Sequence, residues 1–215
     1  MKGHPKGLIA AALSNMGERF GYYIMNAVLA LFLVSKFGLA EENASAIYSV
    51  FYAGIYVLSL VGGIIADRTQ NYNRTIQWGL IIMALGYVCL SIPIFNEFGN
   101  DGQWWSILVF TCLALFMIAF GNGLFKGNLQ AIVGKMYDEF EAEAAKEGPE
   151  ALAVAKGKRD SGFQIFYMFI NVGGLFAPFI APVLRSWWLN KHNFIYNSDM
   201  AGLCHKYLAD GQITE

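Results

Sequence analysis

Charged residues are absent from four long stretches of this sequence, and those gaps set its elements. Between Glu42 and Asp67 stand 24 residues without Asp, Glu, Lys or Arg, and the gaps from Arg74 to Glu97, Asp101 to Lys126 and Asp160 to Arg185 hold 22, 24 and 24. A fifth stretch, Gly7 to Ser35, is equally apolar apart from Glu18 and Arg19. The hydrocarbon core of a bilayer takes about 20 residues of helix. Lipid offers no partner to a backbone N–H or C=O, so uninterrupted spans of this length must be helical. The pattern predicts an all-α polytopic membrane protein with five transmembrane helices, over about 8–34, 45–66, 75–95, 104–135 and 161–185. Residues 1–185 then form one transmembrane bundle, and 186–215 a polar segment with no sixth span. Pro178 and Pro182 are expected to kink or hinge the fifth helix.

Composition agrees with this pattern. The chain of 215 residues is 56% hydrophobic and 14% charged, where soluble domains carry roughly a quarter charged residues. Mean hydropathy is +0.41. A net charge of −1 gives no electrostatic footprint for nucleic acid. Three cysteines exclude a disulfide scaffold and suggest no metal cluster. The run from Leu8 to Leu13 is too short, and too soon interrupted by Glu18 and Arg19, to read as a cleaved leader.

Loop charges orient the spans. The N-terminus, the 67–74 loop and the 135–160 loop together hold nine basic residues, against four on the other side (Lys36, Arg185, Lys191 and Lys206). The positive-inside rule places the N-terminus in the cytoplasm. The acidic run Asp138, Glu139, Glu141, Glu143 reads as a solvated loop, and Pro149 to Lys156 as a short surface helix closed by Gly157.

Three charges stand where a membrane disfavours them. A charge near mid-bilayer costs roughly 2.5–3.5 kcal/mol on insertion scales, so such a residue faces a cavity or a partner. Arg19 lies about 16 Å along its helix, and Glu18 and Lys126 accompany it. A purely structural ion pair for the first two, and a snorkelling lysine for the third, are the bland readings. On a helix Asn15, Arg19, Tyr22 and Tyr23 share one stripe, with Glu18 at its edge. A guanidinium grips a carboxylate with two hydrogen bonds, and an ammonium supplies a second positive point. The set suits a molecule bearing a carboxylate, with Glu18 available for a cationic group or a proton. The pairs Gly62-Gly63, Gly123/Gly127 and Gly173-Gly174 suggest close helix packing. Nothing points to an enzyme or a cofactor: there is no H-E-x-x-H and no G-x-S-x-G, and His4, His192 and His205 lie outside the spans.

These residues carry a resemblance. GERFGYY (17–23) resembles the first-helix E-x-x-E-R-F-x-Y-Y motif of the proton-coupled oligopeptide transporters, a branch of the major facilitator superfamily. GGIIADR (62–68), FGNGLFKGN (120–128) and RDSGFQIFYMFINVGGLFAP (159–178) resemble that family's second-, fourth- and fifth-helix segments, in the same order. The resemblance implies symport of di- and tripeptides with protons as the coupling ion, at the inner membrane, by the greater part of an N-terminal helix bundle. It implies Arg19 and Lys126 on the peptide carboxylate, Tyr22, Tyr23 and Tyr56 lining the pocket, and Asn171 bonding the peptide backbone. Glu18 and Lys126 would belong to the coupling network, and Asp67 and Arg68 to a gate. A second six-helix half would be the partner. Asn15 stands where the family has its first Glu, and a glycine is usual near Asn71; asparagine tolerates the left-handed turn expected there. A related carrier of another carboxylate, or a non-transporting membrane subunit, are the alternatives.

Overall fold

The computed structural model describes residues 3–92, 94, 101–194 and 200–211. Six helices follow in order: α1 (Gly7–Phe37), α2 (Glu41–Thr69), α3 (Tyr72–Ser91), α4 (Asp101–Glu147), α5 (Pro149–Lys191) and the short α6 (Met200–Ala209). There is no strand among the described residues. The first five are long and apolar enough to cross a membrane. The end expected for the third span, near residue 95, lies outside the described residues.

α4 is the central helix. It packs against α2 and α3 and also meets α1 and α5, while α1 packs along α5. Glycines set these approaches. A methyl group built on Gly62 would strike the backbone of Gly123, and one on Gly123 would lie 2.6 Å from the Leu58 carbonyl. Gly79 and Gly121 face each other between α3 and α4 in the same way, and Gly173 abuts the Met16 carbonyl between α5 and α1. Without the hydrophobic effect to drive helices together in lipid, such close backbone contact is what holds them. Gly63 and Gly127 meet nothing within 4 Å, so the two glycine pairs containing them each pack through one member.

Two apolar clusters fill the interior. One gathers Leu29, Leu33, Phe37, Phe51 and Ile118; the other gathers Leu8, Ala12, Phe125, Val133, Tyr137 and Phe166. Between them α1 and α4 contribute a polar layer: Asn15, Glu18, Arg19 and Asn122 are all buried. The outer surface is the reverse, with Val50, Leu60, Trp78, Val109, Leu175 and Phe179 exposed. That inversion of inside and outside suits a solvent of lipid.

The helices on either side of residue 148 run further than the charge gaps imply. Residues 135–160 are helical but for Gly148, so the expected acidic loop is a helical hairpin, and the expected surface helix from Pro149 is the first part of α5. The reason is local: MYDEFEAEAAKE is rich in strong helix formers, so α4 continues after its apolar run ends. Gly148, at φ 132°, makes the turn and Pro149 opens α5 at its first position. Arg159 closes the hairpin on Asp138 (2.7 Å) and Glu141 (3.3 Å). Both Pro178 and Pro182 lie inside the continuous α5.

The α2–α3 turn corrects a second expectation. The left-handed residue is Gln70, at φ 52°. Asn71, at φ −122°, instead caps α3, its side chain accepting from the Arg74 N–H. At the other end, α6 returns to α1, where His205 Nε2 lies 3.0 Å from the Ser35 carbonyl.

Candidate functional site

A half-open cavity of about 300 Å³ lies where α1, α2 and α4 meet. Its α1 wall carries Arg19, Tyr22, Tyr23 and Asn26; its α2 wall carries Tyr48, Tyr52, Ile55 and Tyr56; α4 adds Lys126. Spacing alone aligns these groups. Positions 19, 22, 23 and 26 fall on one helical stripe, and 48, 52 and 56 repeat every four residues on another.

Arg19 does not face the cavity as a free cation. Its guanidinium grips the adjacent Glu18 with two bonds, Nε to Oε2 at 2.5 Å and Nη2 to Oε1 at 2.7 Å. The Arg19 and Glu18 side chains are only 9% and 1% exposed. Asn122 of α4 donates a further hydrogen bond to Glu18 Oε1. A carboxylate sealed from water requires such a full set of partners, because an unpaired buried charge is costly. Arg19 also lies 4.8 Å from the centre of the Tyr22 ring.

Lys126 is placed differently. Among the described residues no carboxylate pairs with it. Its ammonium sits 4.6 Å above the Tyr56 ring in a cation–π contact and feels the Glu18 carboxylate only beyond ion-pair distance. Tyr56 and Tyr52 share a hydrogen bond of 3.1 Å, and Tyr52 stacks on Tyr48 with ring centres 6.3 Å apart. The cavity therefore offers one ammonium without an ion-pair partner among the described residues, one guanidinium already engaged, and a row of phenol hydroxyls. That arrangement is suited to a carboxylate attached to a polar chain.

The structure brings together Glu18, Arg19, Tyr22, Tyr23, Tyr56 and Lys126, six of the residues singled out from sequence. Asn171 is exposed on α5 and does not line the cavity. It lies three residues from Gly174, whose backbone packs against the Tyr23 ring. Asp67 and Arg68 are exposed at the far end of α2. Asp67 accepts a 2.6 Å hydrogen bond from the Tyr72 hydroxyl, and Lys135 of α4 covers the Tyr72 ring at 4.0 Å. Those contacts tie the α2–α3 turn to α4. Asn26, Tyr48, Tyr52 and Asn122 carry no charge and so do not stand out within the apolar spans of the sequence. The four-residue repeat of tyrosines on α2 was the available signal for Tyr48 and Tyr52.

A family model described as POT family matches residues 73–201. The peptide transporter YePEPT of Yersinia enterocolitica is 34% identical over 206 residues, covering 94% of this chain and 35% of the relative. A di-/tripeptide transporter of Lactococcus lactis subsp. cremoris is 35% identical over 185 residues, covering 83% and 32%. The solved structure of a bacterial homologue of the human drug peptide transporters PepT1 and PepT2 matches with a TM-score of 0.67 at 29% identity, covering 94% of this chain and 37% of that one. A mutant of the peptide transporter POT in complex with alafosfalin matches at 0.65 and 30%, covering 95% and 36%. The chain thus spans about a third of the length of the curated relatives it matches.

Proposed function

Because this chain belongs to the POT family, a family of multi-pass membrane transporters, we propose that it supplies the N-terminal bundle of a symporter of di- and tripeptides. The observation that carries this reading is the pairing of Lys126, without an ion-pair partner among the described residues, with the Glu18-bound Arg19 across one polar cavity. Two relatives are peptide transporters by name, and one matched structure is a complex with alafosfalin.

The chemistry runs as follows. The peptide carboxylate approaches Lys126 first, since that cation has no anion to give up. Its second contact is Arg19, which it wins only in competition with Glu18. A proton on Glu18 removes the competing charge and releases Arg19 to the substrate. Peptide binding and protonation of Glu18 thereby favour each other, which is the linkage a symporter needs. Tyr22, Tyr23 and Tyr56 line the path, and Asn171, on α5 outside that cavity, meets the part of the peptide backbone that extends beyond it. Asp67 and Arg68 act in a gate at the α2–α3 turn. A second six-helix half closes the site, and alternating access follows from rocking of the two bundles about it. The N-terminus, the α2–α3 turn and the α4–α5 hairpin face the cytoplasm, on the side with more Lys and Arg, and the membrane is the bacterial inner membrane. No catalytic step or bound cofactor enters this scheme.

The test is uptake of a labelled dipeptide into liposomes holding the full-length protein under an imposed proton gradient. Accumulation that follows the gradient is expected; uptake indifferent to it would remove the coupling, and no uptake of any peptide would remove the substrate class. Lys126→Ala should abolish uptake while leaving thermal stability near wild type, because Lys126 has no ion-pair partner to strand.

A further inference from the structure

Asn122 of α4 meets Glu18 with only half of its amide. Its Nδ2 donates to Glu18 Oε1, while its Oδ1 is buried without a hydrogen-bond partner among the described residues. The residue is sealed from solvent, at 0% exposed. Buried polar groups are nearly always paired, so an orphaned acceptor beside an ionisable carboxyl needs a reason. Coupling through Glu18, Arg19 and Lys126 leaves Asn122 without a task.

The two forms of Glu18 supply the reason. An ionised carboxylate only accepts hydrogen bonds, whereas a protonated one has an O–H to donate. In the ionised form Arg19 Nε holds Oε2, and Arg19 Nη2 shares Oε1 with Asn122. The carboxylate then has no hydrogen for Asn122 Oδ1. A carboxylic acid and a primary amide, by contrast, complete each other through two parallel bonds, amide N–H to acid C=O and acid O–H to amide C=O. We propose that Asn122 is a positioning residue for the coupling proton: the protonated Glu18 donates from Oε2 to Asn122 Oδ1, and Arg19 is released to the peptide carboxylate. The proton comes from water and bonds to Oε2, the Arg19 Nε hydrogen bond to Oε2 is lost, and the Asn122 Nδ2 bond to Oε1 is kept. The proposal rests on the peptide-symport reading of the same cavity.

The other groups around Glu18 are of different kinds. Its own helix brings Arg19, Tyr22 and Tyr23, α4 brings Lys126 one turn beyond Asn122, and α3 brings Tyr87. The two cations have no acceptor to offer a proton, and Tyr87 makes no hydrogen bond to Glu18. On α2 stand the phenols Tyr48, Tyr52 and Tyr56, on the Arg19 side of the cavity. α5 has no charge between Asp160 and Arg185 and one phenol, Tyr167. α6 meets α1 near Ser35, through His205.

Removing the amide should act unequally on the two forms. The ionised form loses one of three hydrogen bonds; the neutral form, with Arg19 on the peptide, loses both of its own. The experiment measures proton-driven uptake of a labelled dipeptide by the full-length protein in liposomes over a range of external pH. It compares wild type with Asn122→Leu, which keeps the size and removes donor and acceptor. The variant should need about tenfold more protons, a midpoint about one pH unit lower, in line with the net loss of one hydrogen bond. Its rate at the acid end should return to near wild type. A midpoint that stays put, or a loss that acid does not restore, overturns the proposal; a merely structural role gives the second. Infrared difference spectra read the pairing itself. The protonated-carboxyl band that disappears in Glu18→Gln should lie at lower frequency in wild type than in Asn122→Leu, because hydrogen bonds at both oxygens weaken the C=O. An unshifted band, or no such band in wild type, overturns the pairing. Should the leucine variant aggregate on size exclusion, Asn122→Ala makes both comparisons. Wild-type uptake indifferent to the gradient removes the proposed coupling, and the infrared shift then decides the Glu18–Asn122 pairing by itself.

Discussion

Two arginine–carboxylate pairs in this molecule use the same chemistry in opposite surroundings. Arg19 and Glu18 meet in the polar layer with 9% and 1% of their side chains exposed. Arg159 meets Asp138 and Glu141 at the hairpin base, where Arg159 is 34% exposed, Asp138 62% and Glu141 17%. Both arginines approach within hydrogen-bond distance, yet they do different work. In the interior each ion is held because losing its partner would strand a bare charge in a low dielectric. At the hairpin water solvates whichever ion is left, and the pair adds only to a contact that the helices already make. Distance alone does not separate an interior pair from a surface fastening; burial does.

Five substitutions probe the pairs and the packing around them, Arg19→Ala, Glu18→Gln, Gly123→Ala and Arg159→Ala in falling order of effect on stability, with Gly127→Ala as the control for Gly123→Ala. Arg19→Ala should abolish peptide uptake and lower unfolding free energy by about 3–5 kcal/mol, read as a fall in melting temperature of detergent-purified protein. Adding Glu18→Gln should recover much of that stability but no transport; a double variant no more stable than Arg19→Ala would break the comparison, since Glu18 would then not be the stranded charge. Gly123→Ala should cost about 1–3 kcal/mol by overpacking, because its new methyl group meets the Leu58 backbone. Gly127→Ala, with open space around it, should stay within about 0.5 kcal/mol. Equal losses at the two glycines would show that backbone proximity between α2 and α4 does not set the packing. Arg159→Ala should cost at most about 1 kcal/mol, shrink further in high salt and leave uptake intact. A larger, salt-insensitive loss would place the hairpin pair in the same class as the interior one.

The same contrast explains how much of the molecule is legible in its sequence. Spans announce themselves because charges are excluded over a membrane's thickness, and Glu18, Arg19 and Lys126 stand out for the same reason. The hairpin did not, because a charge gap measures hydrocarbon thickness and not the length of a helix. In 136–147 the helix continues through charged residues after its apolar run has ended. Asn26 and Asn122 were silent because an uncharged amide looks the same whether it faces water, lipid or a buried carboxylate. Asn71 was expected to be left-handed on its residue type alone; it serves as a helix cap, and Gln70 takes the strained position. Nothing in residue type distinguishes those two outcomes, since asparagine is favoured in both.

One contact gives α2 a fixed rotational setting. Asn128 of α4 donates to the Gly62 carbonyl at 3.1 Å, at the point where Gly62 lies directly on Gly123. Upstream, α2 has two unlike sides: the tyrosines 48, 52 and 56 on the wet one, and Ile47, Phe51, Gly54 and Leu58 on an apolar groove beside α4. A roll of one residue, about 100°, would turn phenols toward hydrocarbon and uncouple Asn128 from its carbonyl. The helix is keyed like a shaft in a slot. A turn of α2 by itself would therefore lose both the Gly62–Gly123 contact and the Asn128 hydrogen bond.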